Sequence, residues 1–430
     1  MALSSGTLPP HVPVPPPGPR SRAHWRELAA TEAPGVNTLV AGRGTVVWAE
    51  ALGANVLDVD GNLYVDLTAG FSVAAVGHRH PRVVAAATTQ AGRLLHGLGD
   101  VAAHPPRIEL ARRLGRLAPV DEPRVHFAIS GADAVEIALK SALLATGRPG
   151  VVAFDPSYHG VTLGALAATS RPAFRAPFRA HLHSHLHRLP YGAEPWRLDR
   201  LIRRARPGTV LLEPVVGREG VIPPPDGWLR EVARLCREHD VLLVADEVFT
   251  GFGRTGHLFA VDREQVRPDL LCCGKALAGG LPIAATIGRR EVMEPWDAGG
   301  EALHTATFLA HPPACAAALA VLDLLEEEDL PGRARRLGEE VAARLAPWPG
   351  RYRTVREVRG RGLLWGVELS DAATAKQVTR GLLERGVLAL AGGPRGNVVE
   401  LTPPLTITEE QLTTALDLLE RTLPDVPPAR

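Results

Sequence analysis

Cysteine, methionine and aromatic residues are scarce in this chain, and neither sign of charge dominates. Four cysteines (Cys236, Cys272, Cys273, Cys315) among 430 residues exclude a disulfide-built fold, and no pair has zinc-ligand spacing. Reduced thiols are the simplest reading, and no metal is expected. Lys plus Arg number 48 against 47 Asp plus Glu, a formal charge of +1, so neither nucleic acid nor an anionic membrane is an expected partner. No stretch approaches the ~20 apolar residues needed to span a bilayer. The opening MALSSGTLPPHVPVPPPGPRSR lacks the apolar core of a signal peptide. A cytoplasmic protein is the expectation.

Proline and glycine, by contrast, are plentiful. Seven of the first 20 residues are Pro, which removes amide donors and favours extended conformations, so residues 1–22 are expected to form a mobile tail. Residues 44–66 alternate apolar and polar positions around Asp60-Gly61-Asn62, as in a hairpin. From about residue 82 to 325, helical patterns alternate with the short apolar runs VVAF, TVLLEP, VLLVADE and DLLCCG. That alternation predicts an α/β domain with a mostly parallel sheet. Beyond Pro331-Gly332 a smaller α/β unit begins. The expected division is 23–75 and 329–430 for a small domain made from both chain ends, and 76–328 for the large one.

In parallel sheets functional residues collect at the carboxyl edge, where strands end and helices begin. Three places fit. In HFAISGADAVEIALK an apolar run ends in Ser130-Gly131-Ala132-Asp133 and a helix opens, so free amides and the helix dipole make an anion site. An ordinary N-cap by Ser130 or Asp133 explains the same residues. In LLVADEVFTGFGRTG a buried strand delivers Asp246 and Glu247. In LLCCGKALAGG another delivers Lys275, whose amine burial would depress toward Schiff-base chemistry. Together a phosphate cradle, a strand-end carboxylate and a strand-end lysine are what pyridoxal phosphate needs.

With these motifs the chain resembles the class III (ω-type) pyridoxal-phosphate aminotransferases, which include the ornithine, acetylornithine and 4-aminobutyrate enzymes. The resemblance spans roughly residues 35–425 and runs through LDVDGNLYVDL, VGHRHP, SGADAVEIALK, SYHG, LLEPVVGREG, ADEVFTGFGRTG, GKALAGGLPIAA, TFLAHPPACAAA, VRGRGLLWGVEL and TPPLTITEEQL, in that order. It implies an α/β protein of PLP fold type I: a large domain with a mostly parallel seven-stranded-type sheet flanked by helices, plus a smaller α/β domain, assembled as a homodimer. It assigns Lys275 to the Schiff base with pyridoxal 5'-phosphate and Asp246 to the ring nitrogen. Gly131 and Ala132, after Ser130, match the phosphate loop. Tyr158 and Val248 match the two faces of the ring, Glu213 a supporting carboxylate, and Thr307 a hydroxyl reaching the phosphate of the neighbouring subunit. The implied reaction is ping-pong amino transfer between an amino donor and an oxo acid or aldehyde. A racemase, epimerase or aminomutase on the same scaffold is the alternative.

The departures concern substrate. Val161 stands where the resemblance expects one carboxylate-binding Arg and Glu400 where it expects another, while Arg218 takes the position of a gating Glu. The charges are exchanged, and an Arg218–Glu400 pair forming an inverted gate is one expectation. Arg218 binding a substrate carboxylate is a second, and Glu400 recognising a second amine on the donor a third. Phe71 falls at a substrate-contact position. The run AHLHSHLHRLP places four histidines, His181 to His187, at alternating positions, which a strand would put on one face. The glycines of RGRGLLWG precede a strand, unlike a dinucleotide loop.

Overall fold

The computed structural model describes residues 3–36, 45–297 and 299–423. The central sheet contains β4 (Pro123–Ala128), β5 (Val151–Asp155), β6 (Leu186–Pro190), β7 (Thr209–Leu212), β8 (Leu242–Asp246), β9 (Leu270–Cys273) and β10 (Ala284–Arg289), ordered β4-β10-β9-β8-β7-β5-β6. Strands β5 to β9 pair in parallel, and β10 runs antiparallel to both neighbours. The middle strands TVLL, LLVAD and LLCC are buried throughout, as strands covered by helices on both faces must be.

Alternate residues of these strands feed two cores. Leu243, Ala245, Leu271 and Cys273 join one, while Leu242, Val244, Leu270 and Cys272 join the other. Cys272 and Cys273, though adjacent, therefore point to opposite faces, and all four cysteines are free and buried. Several flanking helices open on proline, whose missing amide costs nothing in a first turn: Pro81–Ala91, Pro105–Leu117, Pro195–Ala205 and Pro312–Glu327.

A second sheet joins both chain ends. It orders β1 (Trp48–Leu52), β2 (Asn55–Asp58) and β3 (Leu63–Asp66), with β13 (Val387–Leu388) parallel to β3. The turn between β2 and β3 passes through Gly61 at φ +91°. A third sheet orders β11 (Val355–Arg361), β12 (Leu364–Leu369), β15 (Val398–Leu401) and β14 (Leu390–Gly392). The glycines of RGRG lie in the β11–β12 hairpin, which turns on Gly362 at φ +56°.

Two readings of the sequence need correction. Residues 3–18 are no free tail. The amide of Leu8 donates to Asn55 Oδ1 (2.8 Å), that of Val14 to Asn62 Oδ1 (3.0 Å), and His11 bonds Leu63 in both directions. Proline leaves the leader few amides to satisfy, and two of those that remain meet the buried side chains of Asn55 and Asn62. The expected boundary at residue 22 falls inside the helix Pro19–Thr31, whose first amides donate to Asp60. The histidine run is the second correction. His181 ends a short helical turn and β6 begins only at Leu186, so the four side chains do not share a strand face.

Candidate active site

Five strands deliver the predicted residues to one edge. β4 leads to Ser130 and Gly131, β5 to Tyr158, β7 to Glu213, β8 ends in Asp246, and β9 leads to Lys275. Their common direction makes this convergence unavoidable, since β4 and β9 both run antiparallel to β10.

Ser130 caps the helix Gly131–Thr146, its Oγ accepting from the Asp133 amide (3.2 Å), while Asp133 Oδ2 accepts from the Ile129 amide. The capping reading of these two side chains therefore holds. It leaves the amides of Gly131 and Ala132 without an acceptor among the described residues, at the positive end of a long helix. A Cβ on Gly131 would stand 2.5 Å from Val248 Cγ1, so only glycine lets the loop lie against that side chain.

Asp246 is 4% exposed. Its Oδ2 bonds His159 Nδ1 (2.7 Å) and its Oδ1 accepts from the Val248 amide (3.1 Å). His159 was not singled out in the sequence, although it stands beside Tyr158 in SYHG. The contact joins residues 87 apart and arises only because the loop after β5 lies over the end of β8. Nε2 of His159 is buried without a partner, so the ring is committed to one carboxylate.

Lys275 sits at φ +41°, in the left-handed region, with Nζ over the Phe249 ring at 4.4 Å. Burial pushes its amine below the usual lysine range, and the charges of Asp246 and Glu213 oppose that shift. Glu213 accepts from the amides of Tyr158 (2.8 Å) and Gly217 (2.9 Å), and burial raises its carboxyl to about 7.

The residues expected on the substrate side are arranged differently. The Arg218 guanidinium lies over the rings of Tyr158 (4.5 Å) and Phe174 (5.5 Å) and makes no ion pair or hydrogen bond among the described residues. Glu400 Oε1 is enclosed beside Gly392 without a donor among the described residues, and burial raises its carboxyl to about 8. The two are not joined as an ion pair. Arg171 instead pairs with Glu219 (3.0 Å) and donates to the Gly393 carbonyl. Phe71 is 54% exposed, on a turn lying against Lys275–Ala278. Thr307 is exposed, and its carbonyl accepts from His96 (2.8 Å).

A seven-stranded, mostly parallel sheet that gathers a depressed lysine, a buried carboxylate and a glycine-lined helix start defines a fold-type I pyridoxal-phosphate enzyme. A model of the class-III aminotransferases matches residues 40–423. Acetylornithine aminotransferase of Methanopyrus kandleri is 43% identical over 379 residues, covering 88% of this chain and 92% of that enzyme. Alanine/serine racemase of Pyrococcus horikoshii is 32% identical, covering 97% of this chain and 93% of that one. Ornithine aminotransferase of Toxoplasma gondii superposes with a TM-score of 0.85 at 32% identity, over 94% of this chain and 95% of that chain. The chain belongs to the class-III aminotransferase family and is a pyridoxal-phosphate-dependent aminotransferase. No helix among the described residues is long and apolar enough to cross a membrane.

The residues present fit that cofactor. Two unpaired amides at a helix start suit a phosphate, a carboxylate held by a histidine suits a ring nitrogen, and an amine depressed by burial suits an aldehyde.

Proposed function

We propose that this enzyme moves an amino group between an amino donor and an oxo acid or aldehyde in two half-reactions that both use Lys275. The observation that carries this reading is the lysine itself: a buried amine pushed below the usual lysine range, on the same sheet edge as Asp246. When bound, the cofactor supplies the electrophilic aldehyde and the electron sink.

The chain's own groups divide the remaining work. Gly131 and Ala132, with Ser130 fixing the helix start, would hold the phosphate. Tyr158 and Val248 would flank the ring, and Asp246, oriented by His159, would keep its nitrogen protonated. Glu213 supports the Tyr158 backbone. Lys275 would hold the cofactor through its aldehyde and, when its amine is free, would carry the proton to and from the substrate carbon. Arg218, with no carboxylate of its own, is the anchor for a substrate carboxylate. Glu400 offers an oxygen to a donor hydrogen of the substrate, and Phe71 a stacking face.

The working unit in this reading is a homodimer. Thr307 and its neighbour Phe308 are exposed together with Leu95 and Leu98, a surface suited to a second copy through which Thr307 reaches the other subunit's phosphate. A cytoplasmic location agrees with four unpaired thiols.

The test is a donor panel of ω-amino acids, diamines, amino sugars and α-amino acids, followed by release of a keto product. Amino transfer yields one keto compound per donor consumed and leaves the enzyme unable to continue until an acceptor is added. Inverted donor stereochemistry with no keto compound would instead identify a racemase and overturn the proposal.

A further inference from the structure

Arg254, in the loop after β8, is 1% exposed and has no carboxylate within ion-pair distance among the described residues. Its Nε donates to Ser72 Oγ (2.9 Å), and its Nη1 to the carbonyls of Leu363 (3.1 Å) and Pro403. Nη2 has no acceptor among the described residues. A buried cation without an ion-pair contact is expensive, and burial pushes this guanidinium down to about 9 against the opposing pull of the Asp66 carboxylate. An apolar side chain of similar length would fill the space at lower cost, so the planar fork has to be doing something a hydrocarbon could not.

The partners indicate what that is. Ser72 closes a run in which Ala69, Gly70, Phe71 and Ser72 all take positive φ (45°, 57°, 62° and 68°), and three of the four are not glycine. Such a run persists only where its surroundings enforce it. One end is held by Asp66, whose Oδ1 accepts from the Thr68 amide and hydroxyl, while Thr68 Oγ1 accepts from the Gly70 amide. The other end is held by Arg254. Phe71, half-exposed, contributes little of its own burial to hold the turn. The remaining acceptors flank the substrate side: Pro403 lies three residues beyond Glu400, and Leu363 leads into β12, which pairs with β15.

We propose that Arg254 is a positioning residue for substrate. By donating to Ser72, Leu363 and Pro403 at once, it fixes the turn presenting Phe71 relative to the strand carrying Glu400. The inference rests on the aminotransferase reading of the site.

The test compares Arg254→Lys, which keeps the charge and loses the fork, and Ser72→Ala, which removes one acceptor, with the wild-type holoenzyme. Both variants are expected to retain the cofactor's visible absorbance. kcat/KM should fall by about 10-fold or more, mainly through KM. Hydrogen exchange should speed up at the amides of Ser72 and Val73, which bond Thr68 and Ala69 across the turn. Unchanged KM and unchanged exchange in both variants would overturn the proposal, as would an Arg254→Lys enzyme indistinguishable from wild type. A wild-type enzyme that transfers no amino group would remove the functional reading, while the exchange data would still judge Arg254.

Discussion

On the proposed cofactor side the charged groups come already partnered: Asp246 with His159, and Glu213 with two backbone amides. On the proposed substrate side Arg218 and Glu400 both act electrostatically on Lys275, yet neither side chain has a hydrogen bond among the described residues. The first set sits at strand ends fixed by the sheet. The second comes from a loop and from the small domain's strand β15, with Phe71 supplied by a strained turn. Chemistry common to every substrate calls for preorganised groups, whereas recognition calls for groups whose partners arrive with the ligand.

Substitutions sharpen this contrast, and the largest effect belongs to the partnered side. Lys275→Ala should lower turnover by more than about 10³-fold, since it removes the group proposed as both condensing amine and proton carrier; single-turnover kinetics with added donor would show it. Asp246→Asn should cost about 10²- to 10³-fold in kcat, as expected when one preorganised charge is lost, with the apparent affinity for donor little altered.

Substrate-side changes should be smaller and selective. Arg218→Met should cost about 10- to 100-fold in kcat/KM for carboxylate-bearing substrates, the scale of one charged hydrogen-bonding contact, and little for substrates without a carboxylate. An equal loss for both kinds would break the comparison. Glu400 has its carboxyl raised to about 8 by burial, so it is mainly neutral below that pH and charged above it. The ratio of wild-type to Glu400→Gln kcat/KM for donors with a second amine should therefore rise as pH passes through about 8.

The smallest effect concerns stability. Glu247 is fully buried, accepts from the Thr250 hydroxyl and the Val261 amide (2.9 Å), and has its carboxyl raised to about 7, chiefly by burial. Its folded value exceeds its unfolded value near 4.5. Between those pH values the folded state therefore holds the extra proton, and stability falls as pH rises. Glu247→Gln should flatten that part of the melting-temperature profile.

Strand-end positions were legible because a buried parallel strand is a short apolar run, and the residue after it must lie at the carboxyl edge. Asp246 and Lys275 needed nothing more, whereas Glu213 was singled out through the family resemblance. His159 and Arg254 stood inside motifs that were noticed, but nothing in a linear pattern says which of two distant segments a side chain will meet. The leader shows the reverse error: proline content describes a chain's own preferences and is silent about the asparagines waiting to accept it.

The sequence by itself determined the α/β alternation, the residues at the strand ends and the chemistry they support, because periodicity and strand termination are local. Only the tertiary structure decided that Asp246 meets His159, that the Arg218 and Glu400 side chains have no hydrogen bond or ion pair among the described residues, and that Arg254 ties a left-handed turn to the far end of the chain. Those outcomes depend on how loops and the two chain ends pack, and the contacts responsible join residues from 87 to 182 positions apart.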